Sequence, residues 1–71
     1  MSDVNDRIIR RLEKERNKRG MSRSGFARSL GMAVWTYRNM LERRTHITAE
    51  MLYEVAGILK VPIAEFFEGD E

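Results

Sequence analysis

The chain has 71 residues, of which 34% are charged and 42% are hydrophobic, a balance typical of one small soluble globular domain. It contains no Cys and one His, which excludes a disulfide framework, a Cys-based zinc site and a His-rich metal site. No apolar run is long enough to span a membrane and no signal peptide is visible, so the expected location is cytoplasmic.

Charge is divided unevenly along the chain. Residues 1–44 carry twelve Lys and Arg against five Asp and Glu, a balance of +7, whereas residues 45–71 carry one Lys against six Asp and Glu, a balance of −5. A basic half beside an acidic half is typical of a protein with one face for a polyanion. The alternative is an ordinary solvated helix surface, and charge by itself does not decide between the two.

Two helices are predicted in the first part of the chain. Apolar residues recur at helical spacing over about residues 4–18, and Gly20 is placed to end this first helix. Either Ser22 or Ser24 can cap a short second helix, which Gly31 ends.

Three further helices are predicted downstream. The third runs over about residues 34–43, and Thr48 caps the fourth. Pro62 suits the first turn of a short fifth helix that ends near Phe67. Five helices with short connections predict an all-α fold. The residues predicted to form its core are Ile8, Leu12, Met21, Phe26, Ala27, Leu30, Met32, Tyr37, Met40, Leu52, Val55, Leu59 and Phe66.

The stretch 23–42 places small and apolar residues where two crossing helices need them. Ala27 supplies a small side chain at the contact between the second and third helices, and Gly31 supplies the positive φ of the turn. Tyr37 and Met40 then close the core beneath the third helix. The other side chains of the third helix are expected to point away from the core.

These residues resemble the helix-turn-helix of the phage Cro/repressor-like family, also called the xenobiotic-response-element type. The residues that match the family pattern of apolar positions, Ala and Gly are Phe26, Ala27, Leu30, Gly31, Met32, Tyr37 and Met40. The segment 48–67 resembles the fourth and fifth helices of the family. The resemblance implies a single five-helix, lambda-repressor-like DNA-binding domain over residues 1–71, with the helix-turn-helix at about residues 22–43.

The chain departs from the family pattern at several positions. Arg23 stands where the family has a Gln that contacts phosphate, and an Arg can make that contact with a full charge. Leu41 stands where the family has a Glu that pairs with an Arg of the first helix, which leaves that residue, Arg16 here, free to meet a phosphate. The other departures are Glu15 in place of an apolar residue, Ala33 in place of a capping Ser or Thr, and Arg43 in place of a Gly.

The resemblance implies that the exposed side of the third helix reads base edges in DNA. The residues concerned are Val34, Trp35, Thr36, Arg38 and Asn39. Arg38 can bind guanine O6 and N7, and Asn39 can bind adenine N6 and N7, whereas Val34 and Thr36 suit thymine methyls or the sugar–phosphate. Trp35 has three interpretations: an apolar contact in the groove, packing back over the second helix, or a contact with a protein. For Arg38 and Asn39 the alternative is an ordinary solvated helix surface, and for Val34 and Thr36 it is that they only fill positions on a short helix.

Basic residues at helix ends and in loops are expected on the phosphate backbone. These are Arg16, Arg23, Arg43 and Arg44. Such contacts set orientation and carry most of the salt dependence, but they carry no sequence preference. The alternative for each is solvent exposure, and His46 in the same loop is expected to be structural or solvated.

The C-terminal part offers apolar residues beyond the predicted core. In similar proteins this region forms a two-fold dimer, which implies a homodimer interface made by Ile58, Val61, Ile63 and Phe67. The alternative is that these residues complete the monomer core. The acidic tail, residues 68–71, is expected to lie far from DNA.

Nothing in the sequence indicates catalysis. The serines and the lone His46 form no recognisable nucleophile constellation, and no glycine-rich phosphate loop is present. We therefore expect no enzyme activity, no cofactor and no metal.

The sequence thus predicts a regulator that binds double-stranded DNA sequence-specifically, a repressor acting as a homodimer on a pseudo-palindromic operator. The alternative is an antitoxin or a protein-interaction module that uses the same fold to bind a protein partner. A phage repressor, a controller of a restriction–modification locus and a toxin–antitoxin component all fit the sequence, and no membrane partner is expected.

Overall fold

The computed structural model of the chain describes residues 3–67, in which four α-helices are followed by one short 3-10 helix. The elements are α1 (Asp3–Lys18), α2 (Arg23–Ser29), α3 (Val34–Leu41), α4 (Ala49–Leu59) and the 3-10 helix (Ile63–Phe66). No strand occurs in this range, so the all-α prediction is confirmed. The short fifth helix expected after Pro62 is a 3-10 helix of four residues and not a fifth α-helix, and Phe66 at its end is buried.

Helices α1 and α2 end as the sequence predicts, on glycines in the left-handed conformation. Gly20 has φ 66° and Gly31 has φ 71°. After Gly31, the Met32 amide donates to the Ala27 carbonyl at 2.9 Å, which satisfies a carbonyl that α2 leaves open. At the other end of α2, Ser22 is the cap, since its hydroxyl accepts from the Gly25 amide at 3.0 Å.

Helix α3 ends two residues earlier than predicted. Its last residue is Leu41, and Arg43 adopts φ 62° at the position where the family pattern has a Gly. The Arg44 amide donates to the Asn39 carbonyl at 2.9 Å, so the helix closes with the same geometry that Gly31 gives α2. Ala33 makes no capping hydrogen bond at the start of α3.

One core joins all the elements. Every predicted core residue except Met21 is buried, and Met21 packs against the core while partly exposed. The rings of Phe26 on α2 and Tyr37 on α3 meet edge to face, with centroids 5.8 Å apart and an interplanar angle of 75°. This contact fixes the crossing of α2 and α3, and with it the direction of the exposed side of α3.

Ion pairs tie α1 to the C-terminal part of the chain. Glu15 is buried, with 2% of its side chain exposed, and pairs with Arg11 at 3.1 Å and Arg19 at 3.4 Å. Arg11 continues to Glu65 at 2.8 Å, and Arg19 donates to the Leu59 carbonyl at 3.0 Å. A charged residue can therefore occupy a position where the family usually has an apolar one, because two arginines neutralise it.

None of the helices in residues 3–67 combines the length and apolarity that crossing a membrane requires.

Candidate nucleic-acid interface

The exposed side of α3 carries four of the five residues expected to contact bases. Trp35 and Arg38 are exposed, and Thr36 and Asn39 are half-buried. Val34 does not point away from the core as predicted. It is half-buried and packs against the core cluster, because the first turn of α3 lies close to the rest of the domain.

Trp35 stands out from the surface of α3. Its side chain is 68% exposed, so it does not pack back over α2, and the second of its three interpretations is wrong. A large exposed aromatic ring on the same helix side as Arg38 is a surface suited to contact with another molecule.

Arg23 lies at the first turn of α2, at the edge of the same surface. Its side chain is 58% exposed, and Nη2 is 3.4 Å from Oε1 of Glu13 on α1. This distance is at the long limit of a hydrogen bond, and an exposed pair of this kind is weak. The Arg23 guanidinium can therefore exchange the Glu13 carboxylate for a phosphate at little cost.

Glu13 joins α1, α2 and α3 through one carboxylate. Besides Arg23, it accepts a hydrogen bond from the Tyr37 hydroxyl at 2.7 Å and from Arg16 Nη2 at 2.9 Å. Burial by itself raises the pKa of Glu13, but the hydrogen bonds from Arg16 and Tyr37 outweigh it and leave the pKa below its usual value. Burial of the side chain and, after it, the hydrogen bond to the Glu13 carboxylate raise the pKa of Tyr37 well above its usual range.

Arg16 is held by the domain itself. Its guanidinium donates to Glu13 and, through Nη1, to the Met21 carbonyl at 2.8 Å, and its side chain is only 16% exposed. The hydrogen bond to Glu13 raises the pKa of Arg16. Glu13 therefore takes the place of the Glu that the family has at the position of Leu41. Arg16 is less available to a phosphate than the sequence suggested.

The turn after α3 presents two more arginines. Arg43 Nε lies 3.0 Å from Asp6 Oδ1, and its Nη1 donates to the Leu41 carbonyl at 2.7 Å. Arg44 is more exposed, and its Nε lies 3.0 Å from Oε1 of Glu42. Both pairs are at the surface, so both arginines remain accessible to an anion. His46 is exposed in the following loop.

A groove of about 530 Å³ is lined by three arginines, Arg23, Arg38 and Arg43. Its walls come from α1, α2, α3 and the turn that follows α3. The residues lining it are Ile9, Glu13, Arg23, Ser24, Val34, Arg38, Leu41, Glu42 and Arg43. The fold thus brings Arg23, Arg38 and Arg43, which are separated in sequence, to one depression on the side of the molecule where α3 is exposed.

The residues expected at a dimer interface lie at the opposite end of the chain. Ile58, Ile63 and Phe67 are exposed, and Val61 is half-buried. The exposure of Ile58, Ile63 and Phe67 argues against the alternative that these three complete the monomer core, whereas Val61 does pack against the core.

Sequence reasoning missed two features. Glu13 escaped notice, although its spacing of three residues from Arg16 is a signal for a helical ion pair. Tyr53 was also overlooked and is 73% exposed on α4.

Comparison with known proteins identifies the family through one match. No curated protein and no solved structure matches the chain. A family model described as helix-turn-helix matches residues 12–66, which include the second half of α1 from Leu12 onward, all of α2, α3 and α4, and the 3-10 helix. Within residues 3–67, no three His, Asp or Glu side chains are grouped so that they could hold a metal ion. The chain belongs to the Cro/C1-type helix-turn-helix family, a family of DNA-binding regulators that are not typically enzymes.

Proposed function

We propose that the protein is a sequence-specific repressor that binds double-stranded DNA as a homodimer on a pseudo-palindromic operator. The observation that carries this proposal is the exposed side of α3, flanked by Arg23 before it and by Arg43 and Arg44 after it. A polar helix with cations at both flanks suits a major groove between two phosphate strands.

In this proposal α3 lies in the major groove and supplies base contacts. Arg38 is the candidate for guanine and Asn39 the candidate for adenine, because each side chain can make two hydrogen bonds to one base. Trp35 and Thr36 would contact thymine methyls or deoxyribose. Val34, which is half-buried, would limit how closely the start of α3 approaches the bases.

The phosphate contacts set the register of α3 on the duplex. Arg23, Arg43 and Arg44 are the candidates, since each is surface-accessible. Arg16 would act indirectly, by holding the turn before α2 through the Met21 carbonyl. Removal of one such cation weakens binding to every sequence to a similar extent.

Two copies joined through their C-terminal parts would present two α3 helices to half-sites about 34 Å apart. The exposed apolar residues Ile58, Ile63 and Phe67, with Val61, support a self-association surface there. Bound across a promoter, such a dimer would block access of RNA polymerase from within the cytoplasm.

Selection from a random duplex library, followed by titration at several salt concentrations, tests the proposal. We expect an enriched two-fold-symmetric site and a steep decrease of affinity with salt. Arg23→Ala should weaken binding to selected and random DNA alike and reduce the salt slope by about 1. Arg10→Ala, an exposed arginine of α1 outside the groove, is the matched control. An unenriched library would contradict the proposal.

The base-reading role of Asn39 has its own test. Asn39→Ala should cost about 1–3 kcal/mol on the selected site and relax the preference at one base pair. Random DNA should be bound as before, because no phosphate contact is lost. An equal loss on both kinds of DNA would show that Asn39 does not read a base.

A protein-interaction role, as in an antitoxin, is the second candidate, and the exposed Trp35 favours it. Trp35→Ala separates the two functions. A loss of affinity on the selected duplex assigns Trp35 to DNA, whereas unchanged affinity leaves its ring for a protein partner.

A further inference from the structure

Each arginine proposed to bind phosphate is already paired with a carboxylate in the free protein. The pairs are Arg23 with Glu13 at 3.4 Å, Arg43 with Asp6 at 3.0 Å and Arg44 with Glu42 at 3.0 Å. The three arginine side chains are nevertheless at least 50% exposed. A phosphate can therefore reach each guanidinium, but it meets one whose charge is already partly neutralised.

The arginine proposed to read a base is not paired in this way. Arg38 is exposed and lines the basic groove of about 530 Å³, yet it takes part in no ion pair within residues 3–67. Glu42 lies four positions after Arg38, a spacing at which helical ion pairs form, but its carboxylate is 3.0 Å from Arg44 instead. In this part of the chain the carboxylates therefore neutralise the candidate phosphate contacts and not the candidate base contact.

The three carboxylates differ in what holds them once the arginine leaves. Glu13 keeps the Tyr37 hydroxyl at 2.7 Å and Arg16 at 2.9 Å, so its charge stays neutralised. Asp6 and Glu42 each have one ion-pair partner in the part of the chain that the structure describes. When that partner turns to a phosphate, an unpaired negative charge is left beside the DNA, inside the screening length of about 8 Å at physiological salt. Exchange therefore costs more at Asp6 and Glu42 than at Glu13.

We propose that Glu13, Asp6 and Glu42 are internal counter-ions of the DNA-binding surface, which occupy the phosphate-binding arginines of the free protein and are displaced by DNA phosphates. This inference rests on the proposed function and specifies how its affinity is limited. Because each displacement has the same cost on any sequence, the carboxylates weaken binding to every duplex and leave the preferred sequence unchanged. Binding to random DNA, which depends on these charges alone, is thereby kept weak and reversible.

Neutral variants of the two loosely held carboxylates test the proposal. Asp6→Asn and Glu42→Gln should each raise affinity about two- to fivefold, the range that corresponds to one exposed ion pair. The gain should be the same on the selected duplex and on random DNA, because the base contacts are unchanged.

Glu54→Gln is the matched control for these two variants. It changes the net charge equally, but the exposed Glu54 carboxylate lies outside the groove and has no ion pair within residues 3–67. We expect it to change affinity by less than about 1.5-fold. Asp6→Asn and Glu42→Gln variants that bind like the wild type, or no more tightly than Glu54→Gln, would overturn the proposal.

A double-mutant cycle shows whether the gain arises from the ion pair itself. Arg43→Gln removes the cation and keeps a long side chain at the same left-handed turn. In this background the gain from Asp6→Asn should be at least about twofold smaller, because only the repulsion between Asp6 and DNA remains. A gain of equal size with and without Arg43 would assign the effect to that repulsion and overturn the exchange.

Heparin, a sulfated polyanion without bases, separates this inference from the proposed function. Asp6→Asn and Glu42→Gln should elute from a heparin column at higher NaCl than Glu54→Gln does, since sulfate groups displace the same carboxylates. If that order holds while no duplex is selected, the exchange stands and the proposed function is wrong. If a duplex is selected while the three variants elute together, the exchange is wrong and the proposed function stands.

Discussion

Glu13 lines the basic groove, and its carboxylate contacts residues of all three helices that form the groove walls. It lies between a buried hydroxyl of α3 and arginines of α1 and α2, with Tyr37 at 2.7 Å, Arg16 at 2.9 Å and Arg23 at 3.4 Å. The tight contacts are those to the core, and the loose one is to the arginine at the surface. Glu13 therefore ties α1 to α3 through the Tyr37 hydroxyl, while its weak contact leaves Arg23 able to move to a phosphate.

Tyr37→Phe removes the hydroxyl of this network while keeping the ring. We expect a loss of about 1.5–3 kcal/mol in the free energy of unfolding, the range for a hydrogen bond to a charged group. The pKa of Tyr37 is raised in the folded state, so its contribution is complete below the usual value of 10.0 and is lost as the pH rises above it. Urea unfolding at neutral pH and above pH 10 measures both effects.

Tyr53→Phe is the control for that experiment, since it removes an exposed hydroxyl and should change stability little. A Tyr37→Phe variant as stable as the wild type, with the same alkaline destabilisation, would contradict the role of the hydroxyl.

The ionisation of Glu13 makes the free energy of unfolding depend on pH in the acid range. Its pKa is lowered in the folded state, so its contribution is complete above the usual value of 4.5 and is lost as the pH falls below it. Glu13→Gln should therefore remove part of the acid destabilisation. The control is Glu42→Gln, which removes a charge from the same groove, where Glu42 forms an exposed ion pair with Arg44. An acid unfolding curve for Glu13→Gln identical to that of the wild type would refute this assignment.

The ends of the helices decide where the arginines lie. All four α-helices are followed by a residue with positive φ, and at two of them the residue is not Gly but Arg43 or Lys60. A left-handed conformation costs a non-glycine residue about 1–2 kcal/mol. The chain accepts this cost at Arg43, where it places a guanidinium at the edge of the basic groove.

The variant Arg43→Gly should change the stability of the fold and its affinity for DNA in opposite directions. We expect a gain on the order of 1 kcal/mol in the free energy of unfolding, because relief of the left-handed strain exceeds the loss of the surface pair with Asp6. On the selected duplex, affinity should fall and the salt slope should decrease by about 1. Asp6→Ala, which keeps the backbone strain, should show no stability gain. A destabilised Arg43→Gly variant would contradict the argument.

Across the whole molecule, the arginines fall into two groups: those that line the basic groove and those that hold the fold together. Arg23, Arg38 and Arg43 lie on the basic groove, whereas other arginines of the basic half serve the fold. Among the latter, Arg11 and Arg19 neutralise buried Glu15 and bind the C-terminal part, and Arg7 donates to the Phe67 carbonyl at 3.1 Å. The excess of positive charge in residues 1–44 therefore overstates the number of arginines that are available to bind a polyanion.

Substitution of Glu15 measures what this network contributes. Glu15→Ala should destabilise the fold by about 2–3 kcal/mol, because it opens a cavity and removes the buried carboxylate that Arg11 and Arg19 share. Glu15→Leu should stay within about 1 kcal/mol of the wild type, because an apolar side chain of similar volume fills the site. Urea midpoints at constant m-value compare the two variants. Equal losses for both would show that the charge itself is required.

Local patterns in the sequence were sufficient for the all-α class, the approximate positions of α1 to α4, the cap at Thr48 and twelve of the buried core residues. They left the cap of α2 open between Ser22 and Ser24, and the predicted core omitted Ile9 and Ala56, which are also buried. These depend on interactions between residues three to five positions apart, which the order of residues shows directly. The match of residues 12–66 to the helix-turn-helix model confirmed the family that Phe26 to Met40 had indicated.

The tertiary structure decided which charges remain available to a ligand. Arg16 and Arg23 look equivalent in the sequence, yet Arg16 is held by Glu13 and the Met21 carbonyl while Arg23 is mostly exposed. Likewise, the packing of α3 on the core turns Val34 inward and Trp35 outward. The reason is physical: an ion pair or a buried face depends on distances between helices, which are set by packing of the core and not by spacing along the chain.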